Sequence, residues 1–418
     1  MTQDISRSNY TISISNAKHY LILFILWPFL SFIVALVNYN NKESRRVVYI
    51  FLVYYGLTFV NNNQYIDAYR YILNFKAVAL IPASAFMDIF GGLYTDSTVD
   101  IIEPLLTFII SRFTSHGGVY FAIWSVIFGF FYLKSVNLLY DRYQDNPNWT
   151  ALLALTFFIL LLPITKVTGI RMPIATWMFF LGAYHVVLYR DLKFLILTLV
   201  ACLMHWSFLT ANVILIVYVL LGNRNLVYIP MVILSFILPS IVAPLFQVIA
   251  FRIGGPIQQR FEGYTSEGYN EAIQQSAETA SWFMVLGDKL VFYFLLIAIL
   301  VIQITGKSQM KENSERNLFS FLLLFLTFVN FGQVIPTFGN RFKLVFFLFA
   351  TLYLFIFFLK DQGKTRNILA WAGLLPMLIY AAINLRMGSE TISVWILTPG
   401  VGLPLLVPGL SIAEVLFY

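Results

Sequence analysis

Five cationic or titratable side chains border or interrupt long apolar segments of this sequence: Arg70, Arg171, His205, Arg260 and Arg341. A guanidinium carries a fixed charge and a fork of donors that can grip two phosphate oxygens at once. A neutral imidazole can accept a proton near pH 7. Ionisable groups are costly within apolar segments, so each is a candidate functional residue. Together these residue types indicate an anion site with a general base beside it.

Arg171 is the first candidate for the anion site. It lies in the segment Lys166-Val-Thr-Gly-Ile-Arg171-Met-Pro173, where one apolar segment ends and the next begins. With Pro173 near its first turn, the following helix would direct free N–H groups and its positive dipole toward an anion beside the guanidinium. The alternative is an arginine whose head group extends to the lipid head groups.

Arg341 is the second candidate. It follows Gly339 and Asn340, which suit a turn and a helix N-cap, so free N–H groups again lie beside a cation. Lys343 is close enough in sequence to share this role. Anchoring to lipid head groups is the alternative for both side chains.

His205 interrupts the 28-residue apolar run Phe194–Leu221 and is the candidate base. As a neutral imidazole it could take the proton of a sugar hydroxyl. The alternative is an interfacial His–Trp pair, formed with Trp206 beside a helix reversal.

Two carboxylates are further candidates for acid–base work. Asp67 and Arg70 lie three residues apart and share one helix face. With the aromatic residues Tyr65, Tyr69 and Tyr71 this face could hold a sugar; an intrahelical ion pair is the alternative. Glu103 precedes Pro104, as expected for an acidic residue at a helix N-terminus, and stabilising that helix end is its alternative role.

Composition identifies an integral membrane protein. The chain has 418 residues, of which 59% are hydrophobic and 11% charged, whereas soluble domains are about 25% charged. We expect one transmembrane domain over residues 1–418. The first nineteen residues are polar, so we expect no cleavable signal peptide. The net charge of +7 is scattered over short loops, which argues against nucleic acid. One cysteine and four separated histidines make a metal site unexpected.

The apolar runs predict an all-α polytopic helical bundle with about 12–14 membrane spans. We expect the spans near 20–38, 47–60, 117–138, 149–165, 173–189, 193–205, 206–221, 226–250, 283–304, 317–335, 342–359, 367–384 and 392–411. If these alternate, the short basic loops all lie on one side, which the positive-inside rule makes the cytoplasm. The N-terminus and the five candidate side chains then lie on the other side.

The run Phe194–Leu221 decides the topology of the second half. As a single helix it would be about 42 Å long, which strong tilting could absorb. A single crossing would, however, separate Arg190 from Arg224. Two short crossings that meet near His205 keep every basic loop on one side, so the sequence favours a hairpin.

Two extracytoplasmic segments differ from the spans. Residues 61–116 are polar and aromatic and include a short amphipathic helix near 104–113. Residues 252–282 form the longest hydrophilic loop, in which Arg260 and Tyr264 would form a lid or simply a solvated surface. Cations gathered outside the cytoplasm need an anionic partner, and a lipid-linked pyrophosphate is the most economical one.

Several short motifs, in order, resemble the EpsG-like branch of the Wzy polysaccharide polymerases. They are Asp67-x-x-Arg70-Tyr71, Glu103-Pro104, Ile170-Arg171-x-x-Ile-Ala175, His205 with Ser207, and Asn340-Arg341-Phe342, spread over residues 60–345. The sequence departs from the family pattern at Met172, where a polar residue is common, and at Trp206, which separates the histidine from its serine.

The resemblance implies a glycosyltransferase of the GT-C type in the bacterial cytoplasmic (inner) membrane, with its active site facing the periplasm or exterior. Its donor and acceptor would be undecaprenyl-pyrophosphate-linked repeat units, joined into O-antigen, capsule or exopolysaccharide. Membrane lipids surround such an enzyme, and a chain-length regulator protein is a candidate partner. The resemblance implies that the enzyme would need no cofactor.

On this interpretation the protein is a metal-independent, inverting polymerase. The catalytic candidates are His205, Arg171, Asp67 and Glu103. The candidates for binding substrate are Arg341, Arg70, Arg260, Lys343, Tyr69 and Tyr264. An O-antigen ligase, with a lipid A-core acceptor, is the alternative enzyme. A flippase or other transporter is the alternative of another class, although charges gathered on one face argue against transport.

Overall fold

The computed structural model describes residues 17–60, 67–87, 100–238, 282–305, 312–333, 335–407 and 409–417, with isolated positions between 248 and 266. Within these ranges the chain is helical and forms no β-strand; Ser393 and Ser411 make one isolated bridge. The predicted all-α class is confirmed. Arg260 and Tyr264 lie outside the described residues, so the predicted lid is not described.

The α-helices are α1 (Ala17–Leu26), α2 (Pro28–Val37), α3 (Lys42–Thr58), α4 (Asp67–Ala79), α5 (Ile102–Ser111), α6 (Gly117–Asp145), α7 (Trp149–Leu161), α8 (Arg171–Tyr189), α9 (Leu195–Met204), α10 (Phe208–Leu221), α11 (Asn225–Ile237), α12 (Trp282–Thr305), α13 (Asn313–Gly332), α14 (Pro336–Lys360), α15 (Lys364–Ser389), α16 (Leu403–Leu406) and α17 (Ile412–Phe417). Short 3₁₀ helices are Ala83–Ala85, Ile164–Gly169, Leu192–Phe194 and Val394–Leu397.

Six helical segments among the described residues are long and apolar enough to cross a membrane: Gly117–Asp145, Trp149–Gly169, Arg171–Tyr189, Trp282–Thr305, Gly339–Lys360 and Lys364–Ser389. The protein is therefore a multi-pass membrane protein. Shorter apolar helices, among them α9, α10 and α11, occupy other predicted spans. The segments in α8 and α14 are the most enclosed, each 83% buried, so these two helices form the centre of the bundle.

The basic loops meet at one end of the bundle. Nη2 of Arg45 lies 2.6 Å from Oδ1 of Asp141, which joins the start of α3 to the end of α6. Nδ2 of Asn146 donates to the carbonyl of Leu359 over 2.7 Å, which joins that same end to α14. We call this the basic end, defined as residues 39–46, 140–148, 189–193, 222–225, 312–317 and 358–364. These basic loops lie together, which agrees with the alternation of spans predicted from their charge.

The chain reverses direction at His205, as predicted. His205 has extended backbone angles (φ −150°, ψ 108°) and ends α9. Nδ2 of Asn212, in α10, donates to the carbonyl of Thr198, in α9, over 2.8 Å. Fourteen residues of continuous helix would span about 21 Å, so this bond requires a reversal. Nη2 of Arg190 also lies 3.3 Å from the hydroxyl of Tyr218, which returns α10 to the basic end.

The predicted single span over residues 20–38 is wrong. Helices α1 and α2 meet at Trp27, whose backbone is extended (φ −155°, ψ 92°), and Pro28 begins α2. Oγ of Ser31 donates to the carbonyl of Tyr20 over 3.4 Å, although eleven residues of one helix would span about 16 Å. The two helices therefore fold back on each other, because Pro28 has no N–H with which to continue α1. The prediction that the N-terminus lies outside the cytoplasm depended on that single crossing.

The predicted last span over residues 392–411 is also wrong. The segment forms only Val394–Leu397 and α16, separated by Gly400, whose φ of +95° favours glycine. The N–H of Gly400 donates to the carbonyl of Leu26 over 2.7 Å, so the segment packs over the junction of α1 and α2. The apolar composition suggested a span, but its glycines and Pro404 prevent a continuous helix.

Candidate functional site

The carboxylate of Asp100 is the centre of a hydrogen-bonded cluster at the end of the bundle opposite the basic end. Its side chain is 1% exposed. Oδ2 accepts from Nη1 of Arg171 over 2.8 Å and lies 3.2 Å from Nδ1 of His205. Oδ1 accepts from the backbone N–H of Trp206 over 2.7 Å. Three donors therefore hold this buried carboxylate in one position.

Asp100 is ionised in this setting. Burial raises the pKa of its carboxyl. This increase is outweighed by the hydrogen bond and charge of His205, the N–H of Trp206 and the charge of Arg171, so the pKa lies below its ordinary value. The negative charge is thus available to hold Arg171 and to orient His205.

Backbone contacts between α5 and α9 bring Asp100 to His205. The N–H of Ile101 donates to the carbonyl of Leu203 over 2.9 Å, which fixes the start of α5 against the last turn of α9. Asp100 immediately precedes this contact, and His205 follows it by two residues. The reversal at His205 thus places its side chain beside a carboxylate from another part of the chain.

Strained backbone positions Arg171. Ile170 has φ of +40° and ψ of −82°, a conformation that is costly for a β-branched residue. Such strain costs on the order of 1–3 kcal/mol and persists where the surroundings enforce it. Ile170 is fully buried and lies between the 3₁₀ helix Ile164–Gly169 and α8. The strain is therefore located at the residue that directs Arg171 toward Asp100.

Tyr71 clamps the same guanidinium from α4. Its hydroxyl accepts from Nε of Arg171 over 2.9 Å, and Cζ of Arg171 lies 5.7 Å from the centre of the tyrosine ring. The Tyr71 hydroxyl also lies within 3.4 Å of the carbonyl of Gly169. Nε and Nη1 of Arg171 are thus occupied, and Nη2 makes no hydrogen bond to the described residues.

His205 has one ring nitrogen held and one nitrogen available. Its side chain is 8% exposed. Because an ionised carboxylate only accepts, Nδ1 carries the proton donated to Asp100, and Nε2 keeps its lone pair. Nε2 is buried and has no hydrogen-bond partner among the described residues. Burial lowers the pKa of His205 despite the opposing effect of Asp100, so the ring is neutral near pH 7.

His205 and Arg171 line a cavity of about 550 Å³. Helices α4, α7, α8, α12, α14 and α15 and the 3₁₀ helix Ile164–Gly169 contribute to its wall. The polar side chains in this wall are Asp67, Tyr71, Lys166, Thr168, Arg171, His205, Asp288, Asn340, Arg341, Tyr380 and Asn384. Apolar side chains, including Leu161, Leu344 and Phe347, complete it. The cavity thus joins a charged region to an apolar wall.

Of the three candidate residues on α4, one lies in the cavity wall and two do not. Asp67 lines the cavity and forms an ion pair with Arg70. Arg70 and Tyr69 are not in the cavity wall. The intrahelical ion pair considered for Asp67 and Arg70 is therefore present, with the carboxylate at the cavity.

Glu103 lies outside the cavity wall. Its side chain is buried, and its Oε1 accepts from Oγ1 of Thr107 over 3.0 Å and lies 3.5 Å from the hydroxyl of Tyr120. These contacts attach the first turn of α5 to α6, beside the cluster around Asp100.

Arg341 and Lys343 occupy different positions in the second turn of α14. The predicted turn and N-cap at Gly339 and Asn340 are wrong, because α14 begins at Pro336 and Ile335 is its N-cap. Arg341 lines the cavity and forms no ion pair with the described carboxylates. Lys343 is not in the wall; its Nζ lies 2.7 Å from Oδ2 of Asp288, which does line the cavity. Arg341 is thus the more available of the two cations.

Sequence reasoning did not assign the charged residues Asp100, Lys166 and Asp288 to this site. Asp100 directly precedes the apolar stretch that forms α5, which was a signal for burial. Tyr71 was visible only as part of an aromatic segment. No local pattern connected Asp100 with His205, 105 residues further along the chain. Among the described residues, no group of three His, Cys, Asp or Glu could hold a metal ion.

The fold and site together define a multi-pass, all-α membrane protein with a buried His–Asp–Arg cluster at one end. The sequence profile of the EpsG family matches residues 47–395, and the chain belongs to this family. No curated protein and no solved structure matches the chain. Family membership makes it a polysaccharide-polymerase-like membrane protein with glycosyltransferase-like activity, as the motifs indicated.

Proposed function

We propose that this protein polymerises oligosaccharide repeat units linked to undecaprenyl pyrophosphate, on the outer side of the bacterial cytoplasmic membrane. The product would be O-antigen, capsule or exopolysaccharide. The observation that supports this most is Nε2 of His205, a buried acceptor without a hydrogen-bond partner among the described residues. His205 lines the same cavity as Arg171 and Arg341. A base beside two guanidiniums suits transfer from a pyrophosphate donor to a hydroxyl acceptor.

The proposed reaction is one displacement at the anomeric carbon of the growing chain. The acceptor hydroxyl gives its proton to Nε2 of His205, and its oxygen forms a bond to the anomeric carbon. The bond from that carbon to the pyrophosphate oxygen breaks, and the electron pair leaves with the pyrophosphate. Attack opposite the leaving group inverts the anomeric configuration.

The arginines would stabilise the leaving group. Negative charge grows on the pyrophosphate oxygen as its bond to carbon breaks, and fixed cations stabilise that charge without reorganising. Arg341 has no competing carboxylate among the described residues, and Nη2 of Arg171 is still available for a phosphate oxygen. This electrostatic work requires no metal.

Asp100 would act as a positioning residue. It keeps the proton of His205 on Nδ1, so that Nε2 can accept, and it stabilises the imidazolium that forms during transfer. It also holds Arg171 at a fixed place relative to the base. Asp67, at the cavity, is the substitute base if His205 is dispensable, and Glu103 is less accessible.

The test is reconstitution of purified protein in liposomes with a lipid-linked repeat unit. Product that lengthens on undecaprenyl pyrophosphate, with inverted linkages and in the presence of a chelator, would support the proposal. Transfer only to lipid A-core would instead identify a ligase. Movement of the lipid-linked unit across the bilayer without new glycosidic bonds would identify a transporter.

A further inference from the structure

Lys166 lines the cavity but has no role in the reaction described above. It lies in the 3₁₀ helix Ile164–Gly169, five residues before Arg171, and its side chain is half-buried. Its polar contact among the described residues is the sulfur of Met387, 3.8 Å from Nζ. A thioether is a weak acceptor, so the ammonium has no strong partner there.

The charges that line the cavity do not balance. They belong to Asp67, Lys166, Arg171, Asp288 and Arg341, since His205 is neutral. Asp67 forms an ion pair with Arg70, and Arg171 forms one with Asp100. Asp288 forms an ion pair with Lys343. Lys166 and Arg341 form no ion pair with a described carboxylate. Two positive charges therefore face the cavity without compensation from the described residues.

An apolar wall increases the cost of this imbalance. Leu161 and Leu162, at the end of α7, line the cavity a few residues before Lys166, and Leu344 lines it one turn after Arg341. Partly desolvated cations are expensive without an anion, and their attraction for one is strengthened by the low local dielectric. The cavity is therefore suited to a ligand with negative charge.

We propose that Lys166 and Arg341 bind the two phosphates of one pyrophosphate, one cation to each phosphate. A pyrophosphate esterified at both ends carries one ionised oxygen per phosphate, so its two charges equal those left in the cavity. A single phosphodiester carries one charge and would leave one cation unpaired. The inference rests on the proposed function and adds to it that Lys166 distinguishes pyrophosphate-linked from monophosphate-linked lipids.

Two lipid-linked sugars test this preference by their binding to purified full-length protein in detergent. One is a sugar linked to farnesyl pyrophosphate, a diester with two negative charges, and the other is the same sugar linked to farnesyl monophosphate, a diester with one. We expect wild-type protein to bind the pyrophosphate at least tenfold more tightly. Lys166→Met should reduce this ratio by roughly tenfold, because a charge-assisted contact is lost. Lys166→Arg should keep most of the preference. Lys134→Met, at an exposed lysine of α6, is the matched control and should leave the ratio unchanged.

The outcomes separate this inference from the proposed function. A wild-type protein without preference for the pyrophosphate, or a preference that persists in Lys166→Met, would overturn the assignment of Lys166. Polymer formed from a lipid-linked repeat unit by the same wild-type preparation would still uphold the polymerase. If Lys166→Met does not give a folded, monodisperse protein, Lys166→Gln replaces it, with the same expected loss of preference.

Discussion

Nδ1 of His205 lies 3.2 Å from Oδ2 of Asp100, although the two residues are 105 positions apart in the chain. The same oxygen accepts from Arg171, so one buried carboxylate fixes both the proposed base and a proposed phosphate ligand. The position of the base and the position of the cation are therefore not independent, and a change at Asp100 should affect both.

Asp100→Asn is expected to reduce turnover by about 100-fold or more, because the amide no longer fixes the tautomer of His205 or stabilises its charged form. Asp100 raises the pKa of His205 against the effect of burial. Its loss should therefore shift the acidic limb of the pH–rate profile to lower pH. Steady-state rates measured as a function of pH on purified protein give both quantities.

The matched control is Asp141→Asn, which removes an exposed carboxylate paired with Arg45 at the basic end. This variant should keep the wild-type profile. Equal, pH-independent losses in both variants would show that Asp100 only stabilises the fold.

Activity should require neutral His205. Burial lowers the pKa of this imidazole, so the rate should rise with pH through a value below the ordinary histidine pKa of about 6.5 and then stay level through neutrality. His205→Ala should remove this limb and most turnover, yet leave binding of the lipid-linked donor nearly unchanged, since the base acts only when the proton moves. Donor affinity and turnover measured on one preparation separate the two effects.

His185→Ala is the control for this prediction, because His185 lies near the basic end and stacks on Phe194. Near-normal turnover in His205→Ala would transfer the role of base to Asp67, which also lines the cavity.

Local sequence features predicted most of the helices, because span length, turn residues and charge alternation are determined over short distances. The hairpin at His205 followed from the requirement that Arg190 and Arg224 share a side. The prediction was wrong where apolar composition concealed a break, at Pro28 and around Gly400. In both places backbone chemistry, rather than hydropathy, decides the conformation.

Arg171 and Arg341 were predictable because a charge next to an apolar span is conspicuous. The carboxylate of Asp100 was not predictable, because Asp100 lies in a polar segment where charge is ordinary and its importance depends on packing of α5 against α9. Likewise, whether Arg341 or Lys343 faces the cavity depends on Asp288, which pairs with Lys343. Such choices arise from contacts between distant parts of the chain.

Arg171→Lys should severely impair polymerisation, by roughly 100-fold, even though the positive charge remains. The guanidinium bonds Tyr71 through Nε and Asp100 through Nη1 while leaving Nη2 for a phosphate. An ammonium cannot reproduce this planar arrangement. Chain length of the product, measured beside the amount of protein inserted in the membrane, tests the prediction.

Arg142→Lys, at the basic end, serves as the matched control and should support normal polymer. Full-length polymer from both Arg171→Lys and Arg171→Ala would identify Arg171 as a lipid head-group anchor.

The last prediction concerns which side of the membrane each end of the bundle occupies. The charge rule places the basic end in the cytoplasm, so the end that carries His205 should face outward. In a Cys202→Ser background, Phe113→Cys and Trp206→Cys should react with an impermeant thiol reagent on intact cells, whereas Asn223→Cys should react only after the membrane is permeabilised. Phe113 is 84% exposed and lies between α5 and α6, at the same end as Asp100, so its labelling does not depend on access to the half-buried Trp206. Reversed labelling would place the cavity in the cytoplasm, where it could not act on repeat units presented outside.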